Sequence, residues 1–170
     1  MSYDALGRKI AMDDPDMGHW TYSYDAVGNL VSQTDAKGQT TRFAYDALNR
    51  LKEKSYDEIS KKVAYTYDDP KVPYSIGRLT KVEDSSGISE FFYDKEGQET
   101  KSVKTVDETP YVIERTYDAA GRLTSVTYPD GEIVQTTYSR AGGIKAVRGA
   151  SGYVTDIAYT PQGQMSRIDL

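Results

Sequence analysis

The dipeptide Tyr-Asp returns along this chain at a nearly fixed interval, and a glycine stands four residues after most of the tyrosines. The tyrosines are Tyr3, Tyr24, Tyr45, Tyr67, Tyr93, Tyr117, Tyr138 and Tyr159, separated by 21, 21, 22, 26, 24, 21 and 21 residues. Asp follows the first six, as Asp4, Asp25, Asp46, Asp68, Asp94 and Asp118, whereas Ser139 and Thr160 follow the last two. A period of this size marks a stack of supersecondary units, none of which can bury its own apolar face alone. Such arrays present or enclose surface and seldom carry a private catalytic centre in every unit.

One unit, from Tyr117 to Tyr138, shows the plan. Tyr117-Asp118-Ala119-Ala120-Gly121 is followed by a strand-like stretch to Tyr128, then Pro129-Asp130-Gly131, then a second stretch ending at Tyr138. Asp at the first and Gly at the fourth position predict a type I turn, because the carboxylate accepts from backbone N–H groups just ahead and Gly takes a positive φ without a Cβ clash. The same pairs stand at Asp4 with Gly7, Asp25 with Gly28 and Asp94 with Gly97. Asp46 is matched by Asn49, the residue next most tolerant of left-handed geometry. Gly142 and Gly163 keep the glycine where the Asp is lost, and Gly77 follows an insertion after Asp68. Second turns are expected at Ala36-Lys37-Gly38, Ser85-Ser86-Gly87 and Ala150-Ser151-Gly152.

The stretches between turns are five to seven residues long and rich in Thr, Val, Tyr and Ile, the length and composition of strands. Each repeat therefore reads as a β-hairpin, and the chain as an all-β antiparallel meander of about 14–16 strands, twisted as sheets of that size are. Counting back by two and four from each repeat tyrosine gives mostly apolar or aromatic residues, such as Tyr22 and Trp20 or Phe43 and Thr41. Counting back by one and three gives mostly polar ones, such as Ser23 and Thr21. That alternation predicts one wet face. Leu30, Leu51, Leu79, Leu123, Ile144 and Met165 hold one fixed place after the first turn and are expected on the tyrosine face.

Two steps are long. Residues 69–76 lengthen the Asp-x-x-Gly turn, and residues 106–110 are expected to form a longer hairpin loop, since loops absorb insertions at little cost. Tyr56-Asp57 is off register with no glycine after it, and reads as a decoy.

Tyr117-Asp118-Ala119-Ala120-Gly121-Arg122-Leu123-Thr124, followed by Pro129-Asp130-Gly131 and another tyrosine, resembles the YD repeat of Rhs proteins, and eight registered copies carry the resemblance over nearly the whole chain. Relatives of that kind include bacterial Rhs and wall-associated polymorphic toxins, the B and C components of insecticidal toxin complexes, and teneurins. The resemblance implies a β-strip that spirals into a hollow shell, enclosing a C-terminal effector in the toxins. It implies a structural, non-enzymatic segment of a secreted or cell-surface protein. Its partners would be neighbouring repeats of a larger shell and an enclosed toxin domain. The expectation is a single array over residues 1–170, a fragment of a larger shell, with no signal peptide and with free strand edges prone to self-association.

The residues leave other readings open. A carbohydrate-binding or adhesion module would use the same tyrosine ladder, although only one Trp, Trp20, is present. Calcium would need about six to eight converging oxygens, while each turn offers one carboxylate, so no metal and no other cofactor is expected. His19 reads as an exposed turn residue, and Asp13, Asp14 and Asp16 as a solvated loop. No G-x-S-x-G, P-loop or H-E-x-x-H pattern occurs. A net charge of −5 with mixed signs speaks against nucleic acid as the partner. No run of about 18 apolar residues predicts a membrane span, and the absence of cysteine excludes disulfides.

Overall fold

A computed structural model describes residues 1–57 and 61–170. Among the described residues there are sixteen strands and no helix. The strands are β1 (Ser2–Tyr3), β2 (Lys9–Asp14), β3 (Gly18–Tyr24), β4 (Leu30–Thr34), β5 (Thr40–Tyr45), β6 (Leu51–Tyr56), β7 (Lys62–Tyr67) and β8 (Leu79–Asp84). They continue with β9 (Gly87–Tyr93), β10 (Glu99–Val106), β11 (Thr109–Tyr117), β12 (Leu123–Thr127), β13 (Ile133–Tyr138), β14 (Ile144–Arg148), β15 (Asp156–Tyr159) and β16 (Met165–Asp169). β1 to β14 follow one another in a single sheet in chain order, and β15 and β16 form a second, two-stranded sheet. The chain divides into two compact units, one of Met1–Asp68 with Gly77–Ile88, the other of Asp69–Ile76 with Ser89–Leu170.

In the first unit each repeat tyrosine closes a strand and faces the Leu-class residue that opens the next. Tyr24 pairs with Leu30, Tyr45 with Leu51 and Tyr67 with Leu79, each across a β-bulge. The bulge takes up the residue after the leucine, Val31, Lys52 or Thr80, while tyrosine and leucine stay opposite each other on the same face. β3 shows the resulting alternation: Trp20, Tyr22 and Tyr24 are half-buried while His19, Thr21 and Ser23 are exposed. Burial is shallow. Met12, opposite Trp20, is the buried apolar residue here, and no large side chain in the described chain is completely covered. Each half-buried side chain thus supplies only part of the roughly 1.5–3 kcal/mol that full burial of a large apolar side chain is worth. Cohesion has to be repeated rather than concentrated.

The second unit repeats the scheme with Tyr117 opposite Leu123, Tyr138 opposite Ile144 and Tyr159 opposite Met165. Ala146 is its buried apolar residue. Two features depart from expectation. The extra residues of the 24-residue step do not form a longer loop. Val106 pairs with Thr109, and Asp107 and Glu108 make a two-residue turn with φ of 45° and 64°. Two positive φ angles match the twist of the flanking strands, so the insertion lengthens the strands instead. Pro110 is tolerated there because β11 overhangs β12, whose pairing begins only at Glu114.

The second departure concerns the last hairpin, which leaves the main sheet. Residues 149–155 form no strand, and the backbone of β14 pairs with that segment through the isolated Val147–Val154 bridge. Gly149 has no room for a Cβ, because the Tyr153 ring would lie 2.5 Å from it. Tyr153 is held there by its hydroxyl, which donates to Glu132 at 2.6 Å.

Candidate functional site: the clasp between repeats

The turns after the tyrosines share one backbone geometry. At 118–122, the Asp118 N–H donates to the Arg122 carbonyl at 3.0 Å and the Gly121 N–H donates to the Asp118 carbonyl at 2.9 Å. Gly121 has φ 76° and Asn49, in the same place, φ 61°. This is a type I turn closed by a left-handed residue in a bulge, which lets a short loop join twisted antiparallel strands. Gly7, Gly28, Gly97, Gly142 and Gly163 have φ between 77° and 99°. Gly77, with φ 80°, keeps the closure across the insertion by donating its N–H to the Asp68 side chain at 2.5 Å. The inserted residues 69–76 close on themselves, with the Ser75 hydroxyl donating to the Asp69 carbonyl at 2.8 Å.

The aspartate divides its two oxygens between two tasks. Oδ1 of Asp4 accepts from the N–H of Leu6 and Arg8, that of Asp46 from Leu48 and Arg50, and that of Asp118 from Ala120 and Arg122, all at 2.9–3.0 Å. Oδ1 of Asp25 serves Val27 and Asn29, and that of Asp94 serves Gln98. Oδ2 grips the side chain after the glycine: Arg8 Nε at 2.6 Å, Arg50 Nε at 2.7 Å, Arg122 Nε at 2.7 Å, or Asn29 Nδ2 at 2.9 Å. The Arg8 and Arg50 N–H groups hold the Asp4 and Asp46 carboxyls below the usual range, and the Arg122 side chain does the same first for Asp118. Asp68 is lowered chiefly by Arg50, which bridges it to Asp46. For Asp25 partial burial opposes ionisation, but the bonds from Asn29 prevail and its carboxyl is also lowered.

That arginine then reaches the next repeat. Its guanidinium lies over the ring of the following tyrosine, Arg8 over Tyr24 at 5.0 Å, Arg50 over Tyr67 at 4.4 Å and Arg122 over Tyr138 at 4.4 Å. The tyrosine answers with its hydroxyl. Tyr24 donates to the Lys9 carbonyl, Tyr45 to Leu30, Tyr67 to Leu51, Tyr117 to Glu99, Tyr138 to Leu123 and Tyr159 to Ile144, all at 2.8–3.0 Å. Each acceptor is the first residue of the strand immediately before the tyrosine's own. Burial pushes the Tyr45, Tyr67 and Tyr117 hydroxyls above their ordinary pKa, so they remain protonated donors. Tyr93 ends β9, and Tyr3, at the end of β1, is exposed with its hydroxyl near the Met1 sulfur.

Sequence reasoning missed the arginines. The signal was present, since Arg8, Arg50, Arg78 and Arg122 each follow the turn glycine or its Asn substitute. Its meaning depended on a ring about 16 residues away. Tyr56-Asp57 is not idle either: Asp57 accepts from the Thr40 N–H at 2.7 Å and from Arg42 at 2.9 Å. His19 lies in β3 rather than in a turn, and its exposed ring sits 2.6 Å from Asp13. Asp14 accepts from the N–H groups of Asp16 and Met17. Among the described residues, no group of three or more His, Cys, Asp and Glu side chains is placed to hold a metal ion.

Residues 24–58, 111–133 and 117–143 match the RHS Repeat family. These segments are RHS repeats. The fold of the chain is similar to that of the crystal structure of TcdB2-TccC3-TEV, with a TM-score of 0.82 and 17% identity over 98% of this chain and 10% of that one. It is equally similar to TcdB2-TccC3 without its hypervariable C-terminal region, at TM-score 0.82 and 17% identity, again over 98% and 10% of the two chains. The structure of the Photorhabdus luminescens Tc holotoxin pore gives a TM-score of 0.81 at 17% identity and the same coverage. At that identity the likeness is one of fold. The chain spans 10% of the length of each of these proteins. No curated protein matches it.

Proposed function

We propose that residues 1–170 are one stretch of wall in a larger RHS shell, a non-catalytic segment that helps to enclose or present a C-terminal effector of a secreted or cell-surface toxin. One observation carries the reading. The residues that recur are spent on holding each repeat to the one before it: tyrosine hydroxyl to backbone carbonyl, arginine to tyrosine ring, aspartate to arginine. A wall needs that kind of cohesion, because a single sheet layer offers no thick core to stabilise it.

The tyrosine ladder gives little support to the adhesion or carbohydrate reading. Its hydroxyls are committed to carbonyls, and a guanidinium covers one ring face of Tyr24, Tyr67 and Tyr138.

Limited proteolysis of the natural gene product tests the proposal. The expected result is a downstream segment resistant to protease in the native protein and cleaved once Gly121→Val and Gly28→Val open the wall. A downstream segment cut equally fast in both forms, or a gene product with none, defeats it.

A further inference from the structure

Two aromatic residues outside the tyrosine ladder, Trp20 and Tyr56, line one trough in the first unit. Tyr22 pairs with Gln33, Gln33 with Thr41, and Thr41 with Tyr56, so these four side chains form one row across β3 to β6 on a single face. Three strand spacings make that row roughly 14 Å long. Trp20 lies beside it, stacked with Tyr22 at 6.4 Å. The trough encloses about 250 Å³, and its lining includes Trp20, Gln33, Asp35, Gln39, Tyr56, Asp57 and Lys61.

Its polar groups are fixed but not used up. Asp35 Oδ1 accepts from the N–H groups of Lys37 and Gln39, leaving Oδ2 as an acceptor. Asp57 is anchored by Thr40 and Arg42. The carboxamides of Gln33 and Gln39 make no side-chain hydrogen bond among the described residues.

We propose that this trough binds a neutral saccharide of about one or two sugar rings, the size suggested by a volume just under the roughly 300 Å³ at which small-molecule sites begin. A sugar has an apolar C–H face for an indole or phenol ring and a rim of hydroxyls for carboxamides and carboxylates. An extended peptide fits less well, since β3 to β6 are paired on both sides and offer no free backbone edge. A phosphorylated or nucleic-acid ligand would meet two carboxylates, Asp35 and Asp57, against one cation among the described lining residues, Lys61.

Trp20 is the only tryptophan, so its fluorescence and its indole N–H resonance report this place alone. The intact chain is titrated with maltose, cellobiose, lactose and N,N′-diacetylchitobiose to about 50 mM, bracketing the roughly millimolar Kd expected of so small a contact. The expected result is saturable movement of the indole signal with at least one of the four. Tyr56→Ala and Gln33→Ala should each weaken it at least about fivefold, while Tyr111→Ala, an exposed tyrosine in the second unit, leaves it unchanged. If Tyr56→Ala does not fold, Gln33→Ala decides. Failure of all four sugars to titrate, or binding that survives the substitution of Gln33 with the fold retained, overturns the proposal. The wall reading stands or falls separately, on the protease experiment.

Discussion

The repeat that begins at Tyr117 and the one that begins at Tyr159 have the same turn and differ in almost everything around it. Both close with the N–H of the second residue on the carbonyl of the sixth and with a glycine at positive φ. Both tyrosines hook a carbonyl at 2.8 Å. Asp118 caps two N–H groups and grips Arg122, whereas Thr160 offers Gln164 a single bond at 3.2 Å. The Tyr138 ring is covered by Arg122, while the Tyr159 ring packs on Gly143, where a Cβ would come within 2.9 Å of it. Exposure follows the loss of the clasp: Leu123 is half-buried, Ile144 is 40% exposed and Met165 55%. Turn and hook are thus the minimum that keeps the repeat, and the carboxylate–guanidinium clasp is an addition that covers and orders it.

The comparison is most sharply tested at the shared turn. Gly121→Val and Gly163→Val should each destabilise their hairpin by at least about 1–2 kcal/mol, because a β-branched residue is forced into the left-handed region. Ala120→Val should be close to neutral. Thermal melts showing Gly121→Val and Ala120→Val equal would remove the turn from the account.

The shared hook comes next. Tyr117→Phe and Tyr159→Phe leave a backbone carbonyl without its donor and should cost about 0.5–1.5 kcal/mol. The cost should be greater at the half-buried Tyr117 than at the more open Tyr159 hydrogen bond. Urea melts with the order reversed would mean that the clasp, not burial, sets the hook's worth.

The clasp itself can be added back in part. Ser139→Asp should stabilise the β13–β14 hairpin by roughly 0.5–1 kcal/mol, since the new carboxylate would cap loop N–H groups. Slower amide exchange at Ala141 to Gly143 would show it; no change would mean that the aspartate needs its arginine to act.

Acid offers the mildest test. The carboxyls of Asp4, Asp46, Asp68 and Asp118 lie below their ordinary value of 3.8 in the folded chain. A carboxyl lowered on folding stabilises the fold above its unfolded pKa, and that contribution disappears as pH falls through the folded value. The clasped repeats should therefore loosen as pH drops below about 4, with the hairpin from Tyr159 to Met165 showing little of this dependence. Residue-resolved exchange between pH 5 and pH 2, as a rough working range, would distinguish a local from a uniform response.

Much of this is legible in the sequence. The period located the hairpins, alternation along β3 and β13 assigned the faces, and the exchange of Gly for Asn at position 49 pointed to backbone geometry as the reason for the glycine. Less visible were features that depend on a partner far along the chain. Arg122 reads as one surface charge among many until the Tyr138 ring is beneath it. Tyr56-Asp57 breaks the register and looks like noise until Asp57 is found on the Thr40 N–H.

The sequence alone determined that this protein is an antiparallel hairpin array, because strand period, turn chemistry and repeat length are local properties carried by neighbouring residues. Tertiary structure decided which repeats are clasped, that residues 107–108 turn tightly and extend β10 and β11, and that β15 and β16 leave the main sheet. Those outcomes depend on the balance among half-buried side chains and hydrogen bonds between strands remote in sequence. No single residue type sets that balance.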